Sequence, residues 1–442
     1  MLADSTFDKI KTYVIRQKEG YLLNKHDFPR ERAILVGVQV GQTEDERFAQ
    51  SLEELKALTE TAQGEVVSVM TQNRDRIHSS TYMGKGKLEE LQVLEEELEP
   101  DVIIFNSELS PSQNRNISKV LNARIIDRTQ LILDIFAQRA RSREGKLQVQ
   151  LAQLEYLLPR LSGQGIELSR LGGGIGTRGP GETKLETDRR HIRGEISEIK
   201  RQLKNVVKHR EQYRERRRKN HVFQISLVGY TNAGKSTLFN RLADADSYEE
   251  NQLFATLDPM TRKLTLPSQH SILMTDTVGF IQDLPTTLIA SFRSTLEEVN
   301  EADLLLHVVD SAHPDHVNHE QTVQRLLVDL HMDHIPQLTV YNKRDLSSAD
   351  FVPSPNHDYL WMSALNEQDL QQLLLEVEKQ MLDRMKLYEV VVPSTEGKLI
   401  SRLKRETIVR DVTFNETDDQ YIIQGHVMED HPVLGQIYEH GR

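Results

Sequence analysis

From residue 30 to about 140, short apolar runs alternate with stretches of helical periodicity. Residues 33–40, 101–105 and 124–126 are apolar and β-branched, as buried strands are. Residues 44–61 carry apolar positions at helical spacing, Ser110 and Gln113 form a capping box before a helix through Leu121, and 129–140 is helical again. Such alternation predicts a parallel sheet with covering helices. The pattern then changes. Leu147, Leu151, Leu154, Leu158 and Leu161 are spaced four, three, four, three, and Ile192, Ile196, Ile199, Leu203 and Val206 are spaced four, three, four, three as well. Both are coiled-coil seams. Pro159 stops or kinks the first helix, and the second, over 182–218, spans about 55 Å. Between them lies a glycine-rich segment, 162–181. An antiparallel helical hairpin with a glycine-rich tip is expected. Strand and helix patterns alternate once more over 221–383, with strands at 223–228, 271–275, 338–341 and 359–362. The last segment reads as strands at 388–392, 408–414 and 421–427 with a helix at 394–403.

The expected fold is therefore multidomain α/β: an N-terminal parallel α/β domain (1–140), a projecting helical hairpin arm (141–219), a phosphate-loop G domain (220–384) and a small α+β C-terminal domain (385–442). A chain of 442 residues, 38% hydrophobic and 28% charged, supports several cores. Cysteine is absent, which excludes disulfides, thiolate metal sites and a cysteine nucleophile and fits a reducing cytosol. No apolar run reaches the roughly 20 residues of a membrane span, and residues 1–16 lack a signal-peptide core. A cytoplasmic location follows as the expectation. The net charge of −12 argues against nucleic acid, but Arg and Lys concentrate from 139 to 219, ending in Arg214, Arg216, Arg217, Arg218 and Lys219. A local basic stripe can bind phosphates whatever the global sign.

Residues 229–236, Gly-Tyr-Thr-Asn-Ala-Gly-Lys-Ser, follow a strand and precede a helix. This is the GxxxxGK[ST] phosphate loop. Gly229, Tyr230, Thr231, Asn232, Ala233 and Gly234 wrap backbone amides around phosphates. Lys235 supplies charge to the β and γ phosphates, Ser236 offers its hydroxyl to Mg²⁺, and Thr237 opens the helix. Asn342-Lys-Arg-Asp345 is the NKxD motif. Asp345 can accept two hydrogen bonds from guanine, in a pattern adenine does not offer, and the Lys343 stem packs across the base. Ser363 and Ala364 match the short motif that meets the guanine oxygen. Asp276-Thr-Val-Gly279 is the γ-phosphate sensor: Asp276 holds Mg²⁺ through water and the Gly279 amide meets the γ-phosphate. Thr256 is the candidate switch I ligand of Mg²⁺, with Thr261 as the alternative. The metal set is thus Ser236, Thr256 and Asp276, and Lys235, Thr256, Gly279 and Asn232 carry catalysis. The residue after Gly279 is Phe280, where many small GTPases place a water-orienting glutamine. Gln282 is out of register. Intrinsic turnover should be slow and rise when a partner orders the switches. An asparagine at the Asn232 position ligates K⁺ in some GTPases, so K⁺ acceleration is a further expectation.

Phrases inside and outside the G domain are similar to the HflX family of translational GTPases. They are 229–240, 276–281, Tyr82-Met-Gly-Lys-Gly-Lys87, Glu108-Leu-Ser-Pro-Ser-Gln113, 173–183 and Leu185-Glu-Thr-Asp-Arg-Arg190. The resemblance implies binding to the large ribosomal subunit and its rRNA, GTPase stimulation by the ribosome, splitting of stalled or idle 70S ribosomes, and an arm that approaches the peptidyl-transferase region. A basic hairpin suits phosphate-lined cavities, with Arg160, Arg170, Arg178, Lys184, Arg189 and Arg190 flanking the tip. The loop with Lys85 and Lys87 contacts RNA, binds a second nucleotide, or is plain structure. Alternative functions are displacement of antibiotics from the peptidyl-transferase centre and large-subunit assembly. Since the two seams satisfy each other, a monomer is expected, with no membrane partner.

Overall fold

The computed structural model describes residues 30–41, 45–161, 180–219, 222–243, 253–282, 299–348, 351–353, 358–429 and 431–440. These fall into two units, one up to Val206 and one from Val207 onward.

In the first unit, β1 (Arg32–Val40), β2 (Glu65–Arg74), β3 (Val102–Phe105) and β4 (Arg124–Asp127) form an all-parallel sheet in the order β2-β1-β3-β4. β1 and β3 are buried along nearly their whole length, as strands covered on both faces must be. Helices α1 (Asp45–Thr61), α2 (Lys85–Leu98), α3 (Pro111–Ile117) and α4 (Arg128–Arg139) connect and cover them. β2 and α2 are absent from the sequence expectation. β2 is an edge strand with little buried surface, and α2 buries only Leu88, Leu91 and Glu95 in an acidic run. α3 starts at the expected capping box, where Gln113 N donates to Ser110 Oγ at 3.2 Å and Ser110 N to Gln113 Oε1 at 2.9 Å. It ends at Ile117 rather than Leu121. The following turn is pinned by the buried Glu95 carboxylate, which accepts from Asn122 N at 2.7 Å and from Ala123 N.

Helix α5 (Arg143–Arg160) follows, N-capped by Ser142, and Pro159 sits in its last turn. α6 (Pro180–Lys219) is a 40-residue helix, about 60 Å long. Leu151, Leu154, Leu161, Ile192, Ile196 and Ile199 form one buried cluster, with Leu147, Leu158 and Leu203 against it. The two heptad seams therefore satisfy each other. The expected tip, through residue 179, and with it Arg170 and Arg178, lies outside the described residues. Arg160 is committed within the protein. Its guanidinium lies 3.4 Å over the Tyr156 ring and donates to Leu109 O at 2.7 Å, Glu108 at 3.1 Å and the fully buried Asp127 carboxylate at 3.3 Å. It locks the end of α5 to the sheet rather than facing a phosphate.

In the second unit, β5 (Gln224–Gly229), β6 (Met260–Thr265), β7 (Ser271–Asp276), β8 (Leu304–Asp310), β9 (Gln337–Asn342) and β10 (Tyr359–Trp361) form a six-stranded sheet, order β10-β9-β8-β5-β7-β6. All pairs are parallel except β6 with β7. α7 (Lys235–Ala243), α8 (His316–Asp329) and α9 (Glu367–Leu382) belong to it. A three-stranded antiparallel sheet of β11 (Lys386–Pro393), β12 (Ile408–Asn415) and β13 (Gln420–Val427), order β11-β13-β12, carries α10 (Gly397–Glu406) and α11 (Val433–His440). α11, not foreseen from the sequence, buries Val433, Leu434 and Ile437 against this sheet's core. Among the described residues no helix is long and apolar enough to cross a membrane.

Candidate nucleotide site

In open α/β sheets, ligands bind beyond the carboxyl ends of the strands. Here β5, β7, β8 and β9 deliver the loop 229–236, Asp276, Asp310 and Asn342 to one such end. Gly234 has φ +93, and a Cβ there would lie 2.2 Å from Asn342 Nδ2, so only glycine lets the loop pass this close. Lys235 is buried, and its Nζ donates to Gly229 O at 3.0 Å and Tyr230 O at 2.7 Å. Burial pulls the ammonium pKa down to about 8, against the opposing charge of Asp276. The lysine is thus arched over the loop, where phosphate oxygens would meet it.

Ser236, Thr256 and Asp276 converge. Ser236 Oγ and Thr256 Oγ1 both lie on Asp276 Oδ2, at 2.9 and 2.8 Å, and 2.9 Å from each other. Burial raises the Asp276 carboxyl pKa, opposed by Lys235 and the two hydroxyls. Its Oδ1 is buried with no hydrogen-bond partner. Three hard oxygen ligands and an orphaned carboxylate oxygen fit Mg²⁺, which takes one carboxylate and keeps water and phosphate ligands. The alternative, Thr261, instead pairs its hydroxyl with Thr275 across β6 and β7 at 3.0 Å. Asn232 adopts a left-handed backbone, φ +61, beside Thr231 at the cleft.

The guanine motifs assemble around Asn342. Its Nδ2 donates to Ala233 O and its Oδ1 accepts from Ala364 N, both at 2.9 Å. One side chain therefore joins the phosphate loop to the Ser363–Ala364 turn. Ser363 N is held by Asp369 at 2.8 Å, and Asp369 is paired with Arg344 at 2.8 Å. Asp345, three residues after Asn342, is exposed. Lys343 has φ +64 and its Nζ pairs with Asp310 Oδ2 at 2.7 Å. Asp310 was missed from the sequence: it is 33 residues away, and only the β8–β9 register, which pairs Asp310 with Asn342, brings it there.

The segment after Asp276 packs on the loop. Thr277 Oγ1 donates to Leu227 O at 2.6 Å, Phe280 N to Gly229 O at 3.1 Å and Thr231 N to Phe280 O at 2.7 Å. Phe280 is buried. A Cβ on Gly279 would lie 2.8 Å from Thr231 Cγ2 and 3.1 Å from Lys235 Nζ, so the backbone passes close to both side chains.

A strand–phosphate-loop–helix unit with a guanine-type NKxD loop at the same sheet end defines a GTPase of the P-loop class. Three family models match in sequence order: GTP-binding GTPase N-terminal at 49–137, GTP-binding GTPase Middle Region at 139–217, and 50S ribosome-binding GTPase at 224–343. The GTPase HflX of Alkalihalophilus pseudofirmus is 58% identical over 409 residues, 92% of this chain and 96% of the relative. That of Escherichia coli is 42% identical over 378 residues, 84% and 88% of the two chains. A solved GTP-binding protein from Sulfolobus solfataricus in complex with GDP is 24% identical, spans 79% of this chain and 98% of its own, and has a TM-score of 0.42. The chain belongs to the HflX GTPase family. It hydrolyses GTP to GDP and phosphate.

Proposed function

We propose that the protein, in its GTP-bound form, docks on the large ribosomal subunit and splits stalled or idle 70S ribosomes, and that hydrolysis releases it. The observation that carries this is the long paired helix. α5 occupies the apolar stripe of α6, so Arg190, Arg193, Lys204 and Lys208 are left exposed along it for a polyanion. The match of 224–343 to a family described as 50S ribosome-binding supports the same partner. In the G domain, the amides of 229–236 and the Lys235 ammonium would hold the phosphates, and Asn342, Lys343, Asp345 and the Ser363–Ala364 turn would select guanine. Ser236, Thr256 and Asp276 would hold Mg²⁺, which offsets charge on the phosphate oxygens. Asn232 would ligate K⁺ near the γ-phosphate. The Gly279 amide would contact the γ-phosphate, and Phe280 stands where many small GTPases place the glutamine that orients the attacking water. Slow basal turnover and partner stimulation follow.

The test is GTP hydrolysis at fixed Mg²⁺, alone and with large subunits, small subunits or 70S particles. Stimulation by large subunits and 70S particles, but not by small subunits, is the expected outcome. Equal rates with all three sink the ribosomal reading and leave the GTPase standing. Repeating the assay in Na⁺ instead of K⁺ should lower the rate; equal rates would remove Asn232 from cation binding.

A further inference from the structure

Tyr230 occupies the second position of the phosphate loop, where its backbone already serves Lys235. Its side chain is turned elsewhere. The ring lies flat on His319 of α8, centroids 3.7 Å apart and planes 7° from parallel, and His319 in turn meets the His313 ring at 4.4 Å. Held there, the Tyr230 hydroxyl accepts a hydrogen bond from Gln282 N at 2.9 Å. Tyr230 and Gln282 are both buried. Two backbone bonds, from Phe280 N to Gly229 O and from Thr231 N to Phe280 O, also tie the phosphate loop to the segment 279–282. The Tyr230 bond is made by a side chain and reaches Gln282, the last described residue of that segment.

We propose that Tyr230 is a positioning residue, clamped by His319, that holds the entry of switch II so that the Gly279 amide faces the γ-phosphate. The proposal rests on the reading of Gly279 given above. Its chemistry is specific to the triphosphate. GDP has no γ-phosphate, so loosening 279–282 leaves diphosphate binding intact while weakening triphosphate binding and the chemical step. It also answers the absence of a glutamine after Gly279: turnover in this site depends on where the backbone is held. A phenylalanine at 230 keeps the stack and deletes the hydroxyl that accepts from the buried Gln282 N–H.

In the full-length protein, Y230F should leave the Kd for fluorescent GDP within about twofold. The Kd for a fluorescent non-hydrolysable GTP analogue should rise, and kcat should fall, each about tenfold, the size of one lost buried hydrogen bond. H319A should act in the same direction, whereas H319F, which preserves the stack, should match the wild type. G279A tests the underlying reading, since its Cβ drives the segment off Thr231 and Lys235. If G279A keeps full analogue affinity, the γ-phosphate reading fails and the proposal with it. If G279A loses that affinity while Y230F matches the wild type, the role of Tyr230 alone is overturned. Equal losses of GDP and analogue affinity in Y230F would make Tyr230 a scaffold of the whole loop, and that too overturns the proposal.

Discussion

At the scale of single residues, the proposed role of each side chain can be tested by one substitution. Asp345 is exposed, and in the proposed site its carboxylate would accept two hydrogen bonds from guanine. Asp345→Asn replaces one acceptor by a donor, so GDP affinity should fall at least about tenfold, while xanthosine diphosphate, with a carbonyl at the altered position, should gain. Competition titration with the two nucleotides checks this; unchanged preference would remove Asp345 from base selection. His319 makes a different prediction. Burial first, then His313 and His316, depress its pKa to about 3, against an ordinary 6.5. The unfolded chain binds a proton below pH 6.5 that the folded chain refuses until about pH 3. This residue therefore removes stability as pH falls through that window and contributes none of the change above it. H319F should lose less Tm than the wild type between pH 7 and pH 5, and parallel losses would contradict the burial argument.

At the scale of elements, the paired helices and the end of α5 can be probed separately. Leu154 is 9% exposed within the seam, so Leu154→Ala should cost about 2–4 kcal/mol in unfolding of the unit that holds it. Guanine nucleotide affinity should stay unchanged, since every proposed nucleotide ligand lies in the other unit. Thermal unfolding read beside GDP binding separates these outcomes. Arg160→Met removes the guanidinium from a fully buried Asp127 carboxylate and leaves it a charge without its cation. A loss of about 3 kcal/mol is expected, with D127N/R160M recovering part of it. A single variant as stable as the wild type would show that the lock is ornamental. This residue also marks where sequence reasoning stopped. An arginine next to a glycine-rich tip invites pairing with RNA phosphate, and nothing local announces that Asp127, 33 positions earlier, has already claimed it.

At the scale of the whole molecule, splitting and nucleotide state are separable. With a non-hydrolysable GTP analogue, light scattering should still report splitting of 70S particles, and the factor should remain on the large subunit after sedimentation. Failure to split would assign hydrolysis to the work step. Replacing 162–181 by a neutral linker of equal length should abolish splitting if that segment drives it. Antibiotic protection lost with splitting intact would favour displacement as the task.

Much of this protein was legible in one dimension because some chemistry is contiguous. A phosphate loop needs consecutive backbone amides, so residues 229–236 announce themselves, as do Asn342 to Asp345 and the two heptad seams, whose period is a property of the helix itself. The parallel α/β character follows from the same periodicities. What tertiary structure decided are the pairings between distant side chains: Asp310 on Lys343, Asn342 bridging Ala233 and Ala364, Glu95 capping the turn after α3, and Tyr230 between His319 and Gln282. It also set Thr256 and Thr261 apart: strand pairing turns Thr261 toward Thr275, while the Thr256 hydroxyl lies on Asp276. Local pattern records what a residue does with its neighbours in the chain; burial and strand register choose its partners across it.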